Sequence, residues 1–314
     1  MGAGCRMLNP NPNPNPVPHA LNPEAGVQLA DQLQAVDWTR AWLTAIAARS
    51  RQWQQVLPQG APAWRAEMNR QALAQQLAAE GGAGHLPAAS EAAQALIAAP
   101  RSVRFVAQDE LPAGRAYEAH IAASGAVPTR ANLHDFFNAA MWFAFPQIKA
   151  ALNARQARQI AVDGIQPTRG GVRDALTLFD ENALLLACAD RSLSDALRGF
   201  DWHTLFVERR DAWGRLCEAR PFGHALLEKL VAPYKAITAH TWIVEVPPAY
   251  FGWPEAQRQA HLDRVAAAQV ALVQTPRDFA PLPVLGIPGW WAANADAAFY
   301  ADPQVFRSRR RVSA

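Results

Sequence analysis

The sequence predicts an α+β fold: a mainly helical, single globular domain with a small, mostly antiparallel sheet and a Pro/Gly-rich C-terminal wrap. Most segments repeat their apolar residues at helical spacing. A few short segments have the composition typical of strands, and residues 281–306 are punctuated by Pro and Gly between aromatic side chains. No internal repeat and no linker divides the chain, which indicates one domain with helices packed on a small sheet.

Composition divides the 314 residues into three parts. Residues 1–25 are predicted to be a disordered Asn-Pro-rich leader, because a proline at every second position of NPNPNPNPVP removes backbone donors and disfavours helix. Residues 26–306 form the predicted globular domain. Residues 307–314 begin with RSRRR, which indicates a solvated basic tail.

Three helices are predicted in the first hundred residues. The first, DWTRAWLTAIAARSRQW, starts at Asp37 as N-cap and carries tryptophans on its apolar side. The second covers residues 63–82 and ends in two glycines, and the third covers residues 88–100. The following segment VRFVAQ, at residues 103–108, is typical of a strand.

The segment NLHDFFNAAMWFAFP, residues 132–146, predicts a helix that is buried on most sides. Asn132 is a suitable N-cap, and Asp135 stands where it can complete a capping box and complement the helix dipole. Pro146 either kinks the chain or occupies the first turn of the next helix. The polar residues His134 and Asn138 share one side of this apolar helix.

The segments DALTLF and ALLLAC flank DEN at residues 180–182, a pattern that predicts a β-hairpin. On alternating strand faces, Asp174 and Asp180 would point the same way, about 20 Å apart. Further along, GHALLEKLVAP predicts a short helix, AITAHTWIVEVP a strand, and residues 254–274 a long helix that starts at a proline.

Charge and cysteine content exclude several classes of protein. A net charge of +3 and a pI near 9.0 are mild, and the arginines are spread along the chain, so no nucleic-acid surface is evident. Three distant cysteines form neither a disulfide framework nor a CxxC metal motif, which favours a reducing compartment. The longest apolar runs have seven residues, far below the roughly 20 that span a membrane. A soluble cytoplasmic protein is predicted.

Five segments resemble, in the same order, a bacterial family of unknown function, domain-of-unknown-function family 3025, over about residues 35–307. They are NLHDFFN, RDALTLFDEN, FGHALLEKL, KAITAH and LPVLGIPGWW. One departure is Ala183, where the family pattern has Gly after DEN, so Asn182 would have to adopt the left-handed turn conformation. The resemblance implies a bacterial cytoplasmic protein and brings no catalytic residue, ligand or reaction with it.

Candidate chemistry lies in three polar groups, each with two open interpretations. His134 and Asn138 either satisfy each other beside the core or line a pocket. Arg173 and Asp174 either form a surface pair or, with Asp180 and Glu181, contribute to a site for a divalent cation and an anionic substrate group.

The third group comprises His224, Glu228 and His240. His224 and Glu228, at positions i and i+4 of the short helix, either make a hydrogen bond on the helix surface or hold a metal ion with His240. The helix dipole at the start of that helix is expected to lower the pKa of His224. Gly223 in front of it indicates a close backbone approach or a positive φ.

The leading hypothesis is an intracellular hydrolase-type enzyme. His134, Asn138, Arg173, Asp174 and His224 would serve as catalytic residues, and a divalent metal ion as the candidate cofactor would bind His224, Glu228 and His240. The alternative is a non-catalytic binding protein with structural histidines, for which nucleic acid is the first candidate ligand. A nuclease is third, and no motif supports it. A thiol nucleophile is not predicted, because neither Cys188 nor Cys217 has an activating neighbour.

Overall fold

A computed structural model describes residues 23–81, 103–164 and 170–308 of the chain. The predicted helix at 88–100, nearly all of the Asn-Pro-rich leader and most of the basic tail lie outside these residues. The helices are α1 Pro23–Gln34, α2 Ala47–Val56, α3 Ala61–Gly81, α4 Tyr117–Ser124, α5 Leu133–Ala144, α6 Pro146–Asp163, α7 Gly171–Asn182, α8 Arg191–Gly199, α9 His224–Lys229 and α10 Glu255–Gln269. The strands are β1 Arg104–Val106, β2 Ala126–Pro128, β3 Ala183–Cys188, β4 Cys217–Pro221, β5 Thr238–Glu245 and β6 Ala280–Pro283.

The fold is α+β, as predicted. Its main sheet has the strand order β4-β3-β5-β6, in which β3 runs antiparallel to β4 and parallel to β5, while β6 runs antiparallel to β5. Strands β1 and β2 form a separate parallel pair. Every residue of β3 is buried, so the centre of the sheet lies inside the hydrophobic core. None of the helices in the described ranges combines the length and apolar composition that crossing a bilayer requires.

The first predicted helix is broken in two by the structure. Asp37 accepts hydrogen bonds from the backbone and the hydroxyl of Thr39 and closes a turn, a short 3-10 turn follows at Ala41–Leu43, and α2 starts at Ala47. The predicted apolar side is nevertheless the buried one. Its members pack into the core: Trp38, Trp42, Ile46 and Trp53.

The start of α5 and its junction with α6 agree with the sequence. The side chain of Asn132 accepts a hydrogen bond from the backbone N–H of Asp135 at 2.8 Å, as an N-cap does. The carboxylate of Asp135 does not complete a capping box; it binds the backbone N–H and the guanidinium of Arg130. Pro146 is the first residue of α6. The polar end of α5 is therefore fixed in place beside the core.

The predicted β-hairpin around residues 180–182 is wrong. Residues 171–182 form helix α7, and only the second half of the segment is a strand, β3. Ala175, Leu176 and Phe179 are buried, a spacing that places them on one side of a helix but on both faces of a strand. Ala183 then continues in an extended conformation with φ −78°, so no left-handed glycine is needed after Asn182. Because α7 ends there, the carboxylates of residues 180 and 181 lie in its last turn.

Gly223 directly precedes α9 and packs against the end of α7. Its φ is −63°, so the predicted positive φ is absent, but the predicted close backbone approach is present. A Cβ at this position would lie 2.4 Å from the carbonyl oxygen of Glu181 and 2.5 Å from the backbone nitrogens of Asn182 and Ala183. Only glycine fits such a contact, since backbone atoms cannot rotate away. This close backbone contact sets the position of His224 relative to Glu181.

The C-terminal segment is the predicted ordered wrap. After β6 it forms a series of 3-10 turns, at Val284–Gly286, Ala292–Ala295 and Ala297–Ala301. Buried Asn294 supports them, because its amide donates to the carbonyls of Leu285 and Ile287 at 2.8 and 2.7 Å.

Candidate metal centre

Two histidines from different helices meet next to Gly223. His134 lies in the first turn of α5, and His224 is the first residue of α9. Their Nε2 atoms are 3.0 Å apart, and their ring centroids are 4.5 Å apart in an edge-to-face arrangement. These residues are 90 positions apart in sequence, so the contact depends on the packing of α9 against α5.

Three carboxylates surround the histidine pair. Glu181 Oε2 lies 3.3 Å from Nε2 of His224. Glu228 Oε2 lies 3.1 Å from Nδ1 of His134, and Asp180 Oδ2 lies 3.9 Å from Nδ1 of His224. Each histidine therefore has a carboxylate near its Nδ1 atom, while both Nε2 atoms face the same point.

Ligand atoms of His134, His224 and Glu181 lie within 4.8 Å of one another. In residues 23–81, 103–164 and 170–308, this is the one group of three or more His, Cys, Asp or Glu side chains that converges in this way. Two imidazoles and one carboxylate are the ligand set of several catalytic zinc sites and of non-haem iron sites. Such a set leaves coordination positions open for water or substrate.

Without a cation, the hydrogen-bond donors and acceptors of the neutral histidine pair do not match. A carboxylate only accepts, so in a neutral His134 the Nδ1 atom carries the proton that Glu228 binds, and Nε2 is bare. His224 must then donate from Nε2 and keep a bare Nδ1. Within the described part of the chain that buried Nδ1 has no well-formed hydrogen bond, and it faces the Asp180 carboxylate. Two acceptors that face each other in a buried site are unfavourable.

A cation between the Nε2 atoms removes this conflict. Both histidines would then carry the proton on Nδ1, where Glu228 and Asp180 accept it. A carboxylate on the second ring nitrogen is the usual support of a metal-bound histidine, because it fixes the tautomer and the ring orientation. The donor set and its surroundings therefore fit a metal ion better than they fit a hydrogen-bonded pair of neutral imidazoles.

Burial keeps His224 neutral. Its side chain is only 4% exposed, and burial lowers its pKa to about 4, although the charge of Asp180 acts in the opposite direction. The sequence predicted a lowered pKa from the helix dipole, whereas burial is the larger cause. A neutral imidazole is the form that binds a metal.

Behind the histidines lies a buried pair of charges, Lys149 and Asp180. The ammonium of Lys149 donates to Oδ1 of Asp180 at 2.5 Å and to Oδ1 of Asn138 at 2.8 Å. Burial opposes the ionisation of Asp180, but the charge and the hydrogen bond of Lys149 favour it, and its pKa lies below the ordinary value. Asp180 is therefore a carboxylate that can accept from Nδ1 of His224.

Further negative charge lies next to this pair. Burial, followed by the charge of Asp180, raises the pKa of Glu118 to about 6. Glu118 accepts a hydrogen bond from Asn153 at 2.5 Å. At neutral pH the carboxylates around His134 and His224 thus outnumber the single ammonium of Lys149, and this excess of negative charge favours a cation.

Of the predicted catalytic residues, the structure brings His134 and His224 together and places Asn138 behind them. His134 and Asn138 do not bind each other. Asn138 donates to the hydroxyl of Tyr117 at 3.1 Å and accepts from Lys149. Arg173 and Asp174 lie in the first turn of α7, at the opposite end of that helix from Asp180. They make no described contact with the histidine pair, because the hairpin that was to carry them there is a helix.

The predicted metal ligands His224, Glu228 and His240 do not converge as a set. Glu228 binds His134 from the far side of the ring, at Nδ1, and so supports a ligand instead of being one. His240 lies on β5 opposite Ala183 and Pro281, with its ring 6.4 Å from that of Phe279. Glu181 takes the third place in the converging group. The sequence left two interpretations open for Glu181, a turn residue or part of a divalent-cation site with Asp180, and did not connect it with the histidines.

Comparison with known proteins gives a family. A family model described as a protein of unknown function (DUF3025) matches residues 103–310. The chain belongs to this family. The DUF3025 match covers all residues of the candidate metal centre, and it starts later than the resemblance seen in the sequence, which began near residue 35. No curated protein and no solved structure matches the chain.

The stability of the metal-free protein should depend on pH through His224. Because the folded state lowers the pKa of His224 from 6.5 to about 4, the folded protein binds this proton less well than the unfolded chain does. The resulting stability is fully present above pH 6.5 and is lost as the pH falls through about 4. Its size is about 3 kcal/mol, from the linkage between pKa and stability.

Urea unfolding of the wild type and of His224→Gln, in a chelator and between pH 7 and pH 4, measures the stability that neutral His224 contributes. The raised pKa of Glu118 acts in the opposite direction in both proteins, so the difference between them isolates His224. We expect the wild type to lose about 3 kcal/mol more than the variant between these limits. Equal pH profiles would show that His224 is not held neutral by burial.

Proposed function

We propose that this chain is a metal-dependent hydrolase in which His134, His224 and Glu181 bind a divalent cation. The observation that carries the proposal is the convergence of both Nε2 atoms and a Glu181 oxygen, with a carboxylate next to each Nδ1. Zinc suits this mixed set of nitrogen and oxygen ligands, and iron or manganese are the alternatives that the metal assay distinguishes.

Three protein ligands leave room for water on the metal. A zinc ion with such a set lowers the pKa of its bound water to about 7, which makes it a nucleophile at neutral pH. The exposure of the ligands supports access from solvent, since the side chains of His134 and Glu181 are 35% and 33% exposed. The ion would thus lie at the protein surface on one side and against buried Asp180 and Lys149 on the other.

The residues around the ligands have separate roles in this proposal. Glu228 holds the His134 ring through Nδ1, and Asp180, 3.9 Å from Nδ1 of His224, would do the same for that ring once Nδ1 carries the proton. Lys149 holds Asp180 by donating a hydrogen bond to it. Asn138 acts indirectly, because it accepts a hydrogen bond from the same Lys149 ammonium. Arg173 and Asp174 have no role in this proposal, because they lie at the opposite end of α7 from Asp180 and Glu181.

The two described cysteines support a protein of the reducing cytoplasm. Cys188 and Cys217 are free and buried, and burial raises the pKa of both thiols. They are therefore unsuited to act as nucleophiles at neutral pH. A role in nucleic-acid binding gains no support, since of the basic tail only Arg307 and Ser308 lie within the described residues.

Hydrolysis tests the proposed reaction class. The protein, stripped with a chelator and reloaded with zinc, manganese or iron, is assayed against p-nitrophenyl acetate, bis-p-nitrophenyl phosphate and a peptide anilide. We expect one of these activated substrates to be hydrolysed only by metal-loaded protein, and Glu181→Gln to lose at least about 100-fold of that rate. Asp174→Asn, an exposed carboxylate on the same helix, is the matched control and should keep it.

Activity that persists in the stripped protein, or that Glu181→Gln leaves unchanged, would contradict the proposal. Stoichiometric metal binding without hydrolysis of any of the three substrates would keep the metal site and reject the hydrolase.

A further inference from the structure

A second cavity, of about 560 Å³, lies between the β4 strand, α10 and the C-terminal wrap. This volume falls within the range of about 300–1,000 Å³ found for small-molecule sites. None of its lining residues belongs to the candidate metal centre. Its apolar walls are aromatic and include Trp42, Trp213 and Trp290, of which Trp42 and Trp290 contact each other with ring centroids 5.8 Å apart.

Four charged side chains in this cavity neutralise one another. Arg220 and Arg258 both bind Glu218 and Glu255. Tyr250 completes the network by donating its hydroxyl to Glu218 at 2.5 Å. The carboxylates are thus satisfied by guanidinium groups and do not repel an anionic ligand strongly.

Arg210 is a further cation on the cavity wall, and it lies outside this network. Its guanidinium donates to the backbone carbonyl and the side chain of Asn294 and to the hydroxyl of Tyr300, at 2.8 to 3.1 Å. All of these partners are neutral. In the chain segments that the structure describes, Arg210 forms no ion pair with a carboxylate, so its positive charge is not compensated.

Two residues of the cavity wall also carry a buried donor without a partner in the described part of the chain, but neither donor atom opens onto the cavity. The ring N–H of Trp42 and the Nε of Arg258 are buried, and among the described residues they have no hydrogen-bond partner. Trp42 is only 3% exposed, and a buried indole N–H ordinarily finds an acceptor. Trp64 and Trp142 share this property elsewhere in the core, so the cavity is distinguished by Arg210 and not by these donors.

We propose that this cavity binds a small planar carboxylate, with its aromatic or unsaturated part against Trp42 and Trp290 and its carboxylate against Arg210. A carboxylate offers two oxygens with lone pairs, which matches a wall that supplies donors and positive charge. A flat ligand part suits a cavity wall that is built from the edges of indole rings. This binding site is independent of the metal-dependent function proposed above.

Calorimetric titration of the full chain with 2-naphthoate tests the proposal, with 2-naphthamide as the uncharged ligand of nearly the same shape. We expect the carboxylate to bind at least tenfold more tightly than the amide. Arg210→Gln should remove that preference. Arg209→Gln is the matched control, because neighbouring Arg209 is paired with Asp190 and does not line the cavity.

A second variant guards against a folding defect in Arg210→Gln. Ala45 lies on the cavity wall and is exposed, so Ala45→Phe should block both ligands without disturbing the core. Zinc binding should be the same in all of these variants. Failure of the wild type to bind 2-naphthoate, or unchanged binding by Ala45→Phe, would overturn the proposal. An unaltered preference for the carboxylate in folded Arg210→Gln would overturn the role of Arg210.

Discussion

The thermal stabilisation of this protein by zinc should fall to about a third or less when His224 is replaced with alanine. A ligand at a thousand times its dissociation constant stabilises the folded state by about 4 kcal/mol. For a domain of this size that corresponds to a rise in melting temperature of roughly 10 °C. His224→Ala removes one of three proposed ligands and leaves Nε2 of His134 without its partner, so we expect an affinity loss of more than about 100-fold.

The comparison is made within each protein, with and without zinc, because His224 is buried and its loss also changes the metal-free stability. The matched control is His203→Ala, which removes an exposed histidine near Glu208. The control should keep the full zinc-dependent shift. A His224→Ala protein that melts lower than the wild type but gains the same stabilisation from zinc would show that His224 is only a structural hydrogen-bonding residue.

Among the glycines compared within the described residues, replacement of Gly223 with alanine should cause the largest loss of stability. The new Cβ would lie at 2.4 to 2.5 Å from three backbone atoms of residues 181–183, so α7 and α9 must move apart. Overpacking of this kind costs about 3 kcal/mol or more, which lowers the melting temperature by about 6–12 °C. Differential scanning calorimetry of the metal-free protein measures the loss.

The same substitution should weaken zinc binding, because Gly223 sets the distance between Glu181 on α7 and His224 on α9. Gly199→Ala is the matched control. Gly199 is the last residue of α8, and among the described residues no atom lies within 4 Å of a Cβ placed there. It should be neutral or slightly stabilising. Equal stability of the two variants would contradict the close contact at Gly223.

The sequence predicted those parts of the site that local patterns control. The Asn132 cap and the start of α6 at Pro146 follow from backbone hydrogen bonding and from the fixed φ of proline. His134 and His224 were noticed because an imidazole in an apolar helix is costly without a partner. These rules involve neighbours within a few residues, which is why one sequence was sufficient.

The rest of the site depends on contacts between distant segments. Glu228 binds His134 across 94 residues, and no periodicity in a single sequence indicates that partner. Lys149 was overlooked because a lysine in an amphipathic helix ordinarily faces solvent, whereas here it is 4% exposed and holds Asp180. The error at residues 174–182 had a local cause, since a run of apolar residues suits a strand as well as a helix. The helical spacing of Leu176 and Phe179 was the available signal.

A zinc-edge anomalous difference map from a crystal of the zinc-loaded protein tests the central claim most directly. We expect one strong peak per chain, about 2.0–2.2 Å from Nε2 of His134, from Nε2 of His224 and from a carboxylate oxygen of Glu181. Both Nδ1 atoms should face carboxylates, those of Glu228 and Asp180. A fully zinc-loaded crystal in which the peak lies elsewhere, with the two Nε2 atoms still in direct contact at 3.0 Å, would contradict it.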